Sequence, residues 1–353
     1  MRILLLSLFC VLSHPALSSA EDPFRIYTLA CPFLTVSDGI TSEELLAAVQ
    51  DAADPEAEIR SISLTLDAAA DLDIFASLPD ALISVNAARM IARTDDGVTC
   101  AVIPIDELDP TMKVIQVGDA LYPWDSEYDP QADILAASGK DSNFDRNRVS
   151  TVLLTGTTAL ARTVAYKMLV EGADYPGSMI KSVFDSSDIT HISNEASIWS
   201  LCPEPIRENR SIQFCSNLSA LELFDYLGVD VIELTGNHLR DYDWGPLLEM
   251  LDLFDEKGYA YYAAGRDYET AADPLLIEHN GNRFAFVGCN IAGPDHVFVD
   301  DKHPGVNKCD LDLFGQEIQN LTEEGYLVIA TIQYYEIYSR TPSEIQERDF
   351  KRL

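Results

Sequence analysis

Gly236-Asn237-His238, with Asp241 three residues on, is where the residue types and spacing of this 353-residue chain best suit chemistry. An imidazole that is neutral near pH 7, beside an amide oxygen, suits a divalent metal or a phosphate-like oxyanion. Residues 229–235, just before it, are apolar and β-branched enough for a buried strand. After it, Leu247, Leu248, Leu251 and Phe254 recur at helical spacing, with Pro246 at the helix start and Gly258 just past its end. Asn237 and His238 thus fall on the loop at the carboxyl end of a strand, where open α/β sheets place ligands. The same three residues also suit a plain turn, because Gly and Asn tolerate positive φ and His238 would then be a surface residue.

The elements that must position these residues alternate through the second part of the chain. Strands are expected at 151–155, 188–192, 229–235, 284–288 and 326–332. Helices fall between them at 159–170, 217–227, 246–257 and 311–324. That order predicts an α/β domain with a largely parallel sheet. An amphipathic helix starts near 342. His191 alternates with Ile192 inside its strand, which suits packing better than catalysis. The region 24–147 reads as a smaller α/β domain of its own, with strands at 59–66 and 99–105. Its helices are expected at 41–51 and 81–93, and a turn at 106–110 leads into a further strand. Residues 125–148 are polar and rich in Asp, Ser and Asn, and read as a linker.

Composition narrows the function classes. A chain of this length suits two domains, and 47% hydrophobic residues provide for packed cores. Residues 1–20 read as a secretory leader, with Arg2, a short apolar run and a Ser18-Ser19-Ala20 cleavage site. No segment reads as transmembrane, so the mature chain is expected to be exported and extracytoplasmic. Losing the leader removes Cys10 and leaves an even set of cysteines in an oxidising compartment. Pairing Cys202 with Cys215, and Cys289 with Cys309, would close two short loops, and Cys31 with Cys100 would staple the N-terminal region. The formal net charge of −34 argues against nucleic acid, whose phosphates must be met by Lys and Arg.

Several stretches together resemble the CapA family of capsule and poly-γ-glutamate synthesis proteins. They are 224–231, Gly236-Asn237-His238-Leu239-Arg240-Asp241-Tyr242, Ala263-Ala264-Gly265-Arg266, Ala271-Ala272-Asp273-Pro274 and 283–288. The likeness covers about residues 150–353 and implies a metallophosphatase-like layered α/β domain, preceded here by the smaller N-terminal one. Gly236 stands where the family has a first Asn, and Asp243 where it has Gly. Along the other strand ends, Arg162 matches a family Arg, but Thr157 stands in place of an acid. Glu195 falls on a family Glu, Glu336 on another, and Gln333 on a His. The family continues beyond this point with a further strand and a His-rich motif, which would make the present chain incomplete at its C-terminus.

The resemblance implies a divalent metal, Mn or Zn, held by His238, Asn237 and Glu195. Glu336 and Asp241 would join His238 and Glu195 in catalysis, and Arg162, Asn237, Gln333 and Tyr335 would hold substrate. The substituted positions lean the reading toward binding or assembly of an anionic cell-envelope polymer alongside the capsule synthesis machinery. A metal-dependent hydrolase of phosphoester or γ-glutamyl bonds is the alternative. In so acidic a chain, binding a polyanion requires bridging cations or a local basic pocket. The expectation is spatial: His238 within reach of both Glu195 and Glu336.

Overall fold

The computed structural model describes residues 23–33, 35–76, 99–208, 210–339 and 341–353. The proposed leader and the helix expected at 81–93 lie outside them. The chain divides into two compact units with the boundary between Arg146 and Asn147.

The first unit is built on β1 (Phe24–Pro32), β2 (Gly39–Ile40), β3 (Ser61–Leu64), β4 (Thr99–Pro104), β5 (Met112–Val117) and β6 (Ala136–Ser138). They form one mixed sheet in the order β2-β5-β1-β4-β3, and β6 pairs with β1. Helices α1 (Ser42–Val49) and α2 (Leu66–Asp71) accompany it. Thr41 and Glu44 form a reciprocal capping box that starts α1. Leu45, Val49, Leu29, Ile62, Val102 and Ile115 share one buried cluster. The Cys31–Cys100 disulfide joins the adjacent strands β1 and β4. The polar stretch 125–148 departs from the linker reading. Its β6 is antiparallel to β1, Leu135 and Ala137 are buried, and Asn143 bonds both backbone groups of Ile26. Asp side chains in this stretch cap local turns, as Asp133 does for Leu135, so polarity here reflects turn chemistry.

The second unit carries β7 (Val152–Thr158), α3 (Arg162–Glu171), α4 (Lys181–Asp185), β8 (Ile189–Asn194), α5 (Ser219–Leu227), β9 (Val231–Glu233) and α6 (Trp244–Lys257). It continues with β10 (Ala260–Tyr262), β11 (Ala264–Gly265), α7 (Tyr268–Ala272), β12 (Leu275–His279), β13 (Asn282–Asn290), β14 (Gly305–Val306), α8 (Leu311–Glu323), β15 (Leu327–Gln333) and α9 (Glu344–Phe350). The expected single parallel sheet is in fact two. A fully parallel one runs β10-β9-β8-β7, and a mixed one runs β12-β13-β15. Only β13 and β15 are parallel in the second, because β12 returns through a tight turn at Asn280-Gly281.

The alternation of side chains along β8 and β9 explains the layering. Ile189 and Val231 face the mixed sheet and meet Phe284 and Phe286. Ile192 and Ile232 face the other way, onto α5 and α6. On the far side of the mixed sheet, Ala285 and Val287 pack under Phe314 and Leu321 of α8. The order is helix, sheet, sheet, helix, a layered α/β architecture. Helix α6 buries Leu247, Met250, Leu251 and Phe254 completely, each contributing about 1.5–3 kcal/mol of transfer energy. It stops at Gly258, whose φ of 77° is the left-handed cap that glycine adopts without a Cβ penalty.

Candidate functional site

The carboxyl ends of β8 and β9 lie side by side. Beyond Asn194 the chain stays paired, with Ala196 bridged in parallel to His238 and the Ser197 hydroxyl donating to the carbonyl of Leu239. This closeness depends on Gly236. A Cβ there would sit 2.4 Å from the carbonyl oxygen of Glu195, a distance real side chains do not reach. Residues 195 and 236–238 therefore form one compact strand-end surface.

On that surface His238 Nδ1 lies 2.6 Å from Oδ2 of Asp241. The spacing of three residues closes this pair within a single turn of chain. The same carboxylate oxygen accepts the backbone N–H of Phe214 at 2.7 Å, and the Phe214 ring lies 4.1 Å from the imidazole. Glu195 is 5% exposed, and its Oε2 has no hydrogen-bond partner. Burial pushes its carboxyl up to about 7; neighbouring His238 pulls it down, and the charges of Glu233 and Asp241 push it further up. Asn237 is fixed from the second sheet, its amide oxygen accepting from Gln333 at 3.1 Å.

Arg162 reaches the same neighbourhood by another route. Its guanidinium lies 4.5 Å from the Phe214 ring and donates twice to the carbonyl of Ser211. The Phe214 ring thus contacts both the guanidinium and the imidazole. Thr163 of α3 donates to the carbonyl of Arg207, and the Arg207 charge is felt at Lys167. Four cationic side chains, Arg162, Lys167, Arg207 and Arg210, lie on α3 and the 203–211 loop, but Lys167 pairs with Glu171, and the loop also carries the exposed Glu204 and Glu208.

The family model for the bacterial capsule synthesis protein PGA_cap matches residues 151–353, more than half of the chain and nearly all of the second unit. The chain belongs to this family. No curated protein matches it.

The end of β15 differs from the other two strand ends. Gln333 meets Asn237, but Tyr335 and Glu336 are exposed, and Tyr338 almost entirely so. Tyr334 turns instead to α9, donating to Asp349 and packing against Phe350. His191 is packed, as its strand position suggests. Its Nε2 meets the Tyr262 hydroxyl, its ring stacks on Phe286, and burial lowers it to about 4.

The donor set does not fit the divalent metal that the family fold implies. Among the described residues, no three or more His, Cys, Asp or Glu side chains are gathered to hold an ion. His238 still offers Nε2 and Asn237 a second lone pair, but the hydroxyl of Thr157, where the family carries an acid, is a poor substitute for a carboxylate ligand. Among the described residues His238, Glu195 and Glu336 do not form a group that could hold a metal ion, and Glu336 lies on exposed chain past the last residue of β15.

Two residues near the site escaped sequence reading. Phe214 comes from a loop 27 positions away from Asp241, and its only mark is its place beside Cys215. Glu233 lies inside β9, 2% exposed, and accepts the backbone N–H of Thr235. An acid within an otherwise apolar strand was the available sign. Asp243, in the family's Gly position, adopts φ 74° and ψ −172°. That region costs a non-glycine residue about 1–3 kcal/mol.

Proposed function

We propose that this capsule synthesis protein holds a segment of an anionic cell-envelope polymer at the ends of β8 and β9, outside the cytoplasm, without cleaving it. The carrying observation is Glu195: a buried carboxyl with an unpartnered oxygen beside the His238–Asp241 pair. Buried polar atoms are nearly always satisfied, so one without a partner at these strand ends suits a polar group brought by a ligand. Near neutral pH a carboxyl that titrates at about 7 is partly protonated. It then donates a hydrogen bond to a carbonyl or carboxylate oxygen rather than repelling it. Arg162, beside the Phe214 ring that covers His238, supplies a local cation for a polyanion on a chain of net charge −34. Three disulfides suit an oxidising, extracytoplasmic compartment. Among the described residues no helix is long and apolar enough to cross a membrane.

The same carboxyl favours a second reading, because a group titrating near 7 is poised for general acid or base work in hydrolysis of a phosphoester or γ-glutamyl bond. Turnover separates the two. Metal-stripped protein is assayed on both bond types, alone and with Mn²⁺ or Zn²⁺, while bound metal is measured. The binding reading expects no turnover and no stoichiometric metal. Hydrolysis that disappears in Glu195→Gln would replace it with the second.

A further inference from the structure

We propose that Phe214 is a positioning residue for the His238–Asp241 pair, and that the Cys202–Cys215 disulfide keeps it there. This rests on the reading that the pair is the working part of the strand-end pocket. Phe214 acts on both members at once. Its N–H donates to the Asp241 oxygen that also faces His238 Nδ1, and its ring covers the imidazole at an interplanar angle of 34°. The preceding Gln213 donates its side-chain amide to the carbonyl of Asp241 at 3.2 Å. With Asp241 held from three directions, the proton of neutral His238 is kept on Nδ1 and the lone pair on Nε2, the nitrogen left for a ligand.

The loop that presents Phe214 has little burial of its own. Leu201, Ile206 and Ile212 are largely exposed, so packing does not fix its path. Its two ends are fixed by the Cys202–Cys215 bond, and the bonds of Ser216 to Ser197 and Trp199 stitch the residue after it to the extension of β8. Phe214, immediately before the buried Cys215, inherits that anchorage. Arg162 also ties down the loop, donating to the Ser211 carbonyl and lying against the Phe214 ring. A loop so tied reaches one geometry, where a free loop samples many.

The test reads the tautomer of His238 in full-length protein labelled with ¹⁵N-histidine, at a fixed pH of about 8, where imidazole is neutral. Wild type and Phe214→Tyr are expected to show one form, protonated at Nδ1. In Phe214→Ala and in the Cys202→Ser/Cys215→Ser double variant, the Nε2 resonance is expected to move toward the average of protonated and unprotonated nitrogen. If Phe214→Ala does not fold, Phe214→Leu, which keeps bulk but loses the ring, gives the same reading. Unchanged His238 resonances in folded Phe214→Leu and in the double-serine variant overturn the proposal, including when both melt at lower temperature. Calorimetric titration of each with a γ-glutamyl oligomer separates this from the functional reading. Shifted resonances with no binding even in wild type uphold the positioning role while removing the polymer reading.

Discussion

The ends of β8 and β9 and the end of β15 belong to the same unit, and all three carry residues matching the family's site, yet they are built differently. At the first two, backbones touch across Gly236, Glu195 is buried, and His238 is held by Asp241 and Phe214. At the third, the chain passes Gln333 and opens into exposed residues, with Tyr334 drawn off to α9. Resemblance in sequence places residues on equivalent strand ends, but only packing decides which ends are drawn together. A hydrogen bond from Gln333 to Asn237 connects the two kinds of end.

Crowding the closed end should break the contrast most. Gly236→Asn, the residue the family pattern carries there, drives a Cβ into the Glu195 backbone and should lower stability by about 3 kcal/mol in urea unfolding. An unchanged midpoint would mean that the strand ends are not in contact. The next largest effect is the pH dependence of Glu195. Its folded carboxyl titrates at about 7, above an unfolded value of about 4.3, so the fold binds the proton more tightly. Stability from this group is complete below about pH 4 and is lost as pH rises from there through 7. Urea midpoints between pH 4 and 8 should show that decline in wild type and a flatter profile in Glu195→Gln.

The bridge between the two kinds of end should matter less. Gln333→Ala should cost about 1 kcal/mol, and a double-mutant cycle with Asn237→Ala should give a coupling of about 0.5 kcal/mol. Smallest of all, Tyr335→Ala and Glu336→Ala should each change stability by less than about 0.5 kcal/mol and leave polymer binding intact. A large loss of binding in either would return the β15 end to the site.

The residues that could be read ahead are those whose partners are local. Gly236 to Asp241 closes within one turn, and Pro246 and Gly258 bracket α6. Two cysteine pairs close short loops, and the third, Cys31–Cys100 at a separation of 69, is what an even set leaves over. What could not be read depends on distant pairing. Alternating strands and helices do not say that β12, β13 and β15 form a second sheet, since that depends on which faces stack, here Ile189 and Val231 against Phe284 and Phe286. Polar composition hid β6, whose partner β1 lies more than a hundred residues earlier. The role of Phe214 was invisible because its contacts with His238 and Asp241 exist only after the disulfide loop is folded back.

Titration calorimetry of metal-stripped protein with a γ-glutamyl oligomer, comparing wild type with His238→Ala and Glu195→Ala, tests the central claim most directly. The account predicts binding by wild type that does not need added Mn²⁺ or Zn²⁺ and is lost in both variants. Binding that arises only with metal, or that survives both substitutions, would contradict it.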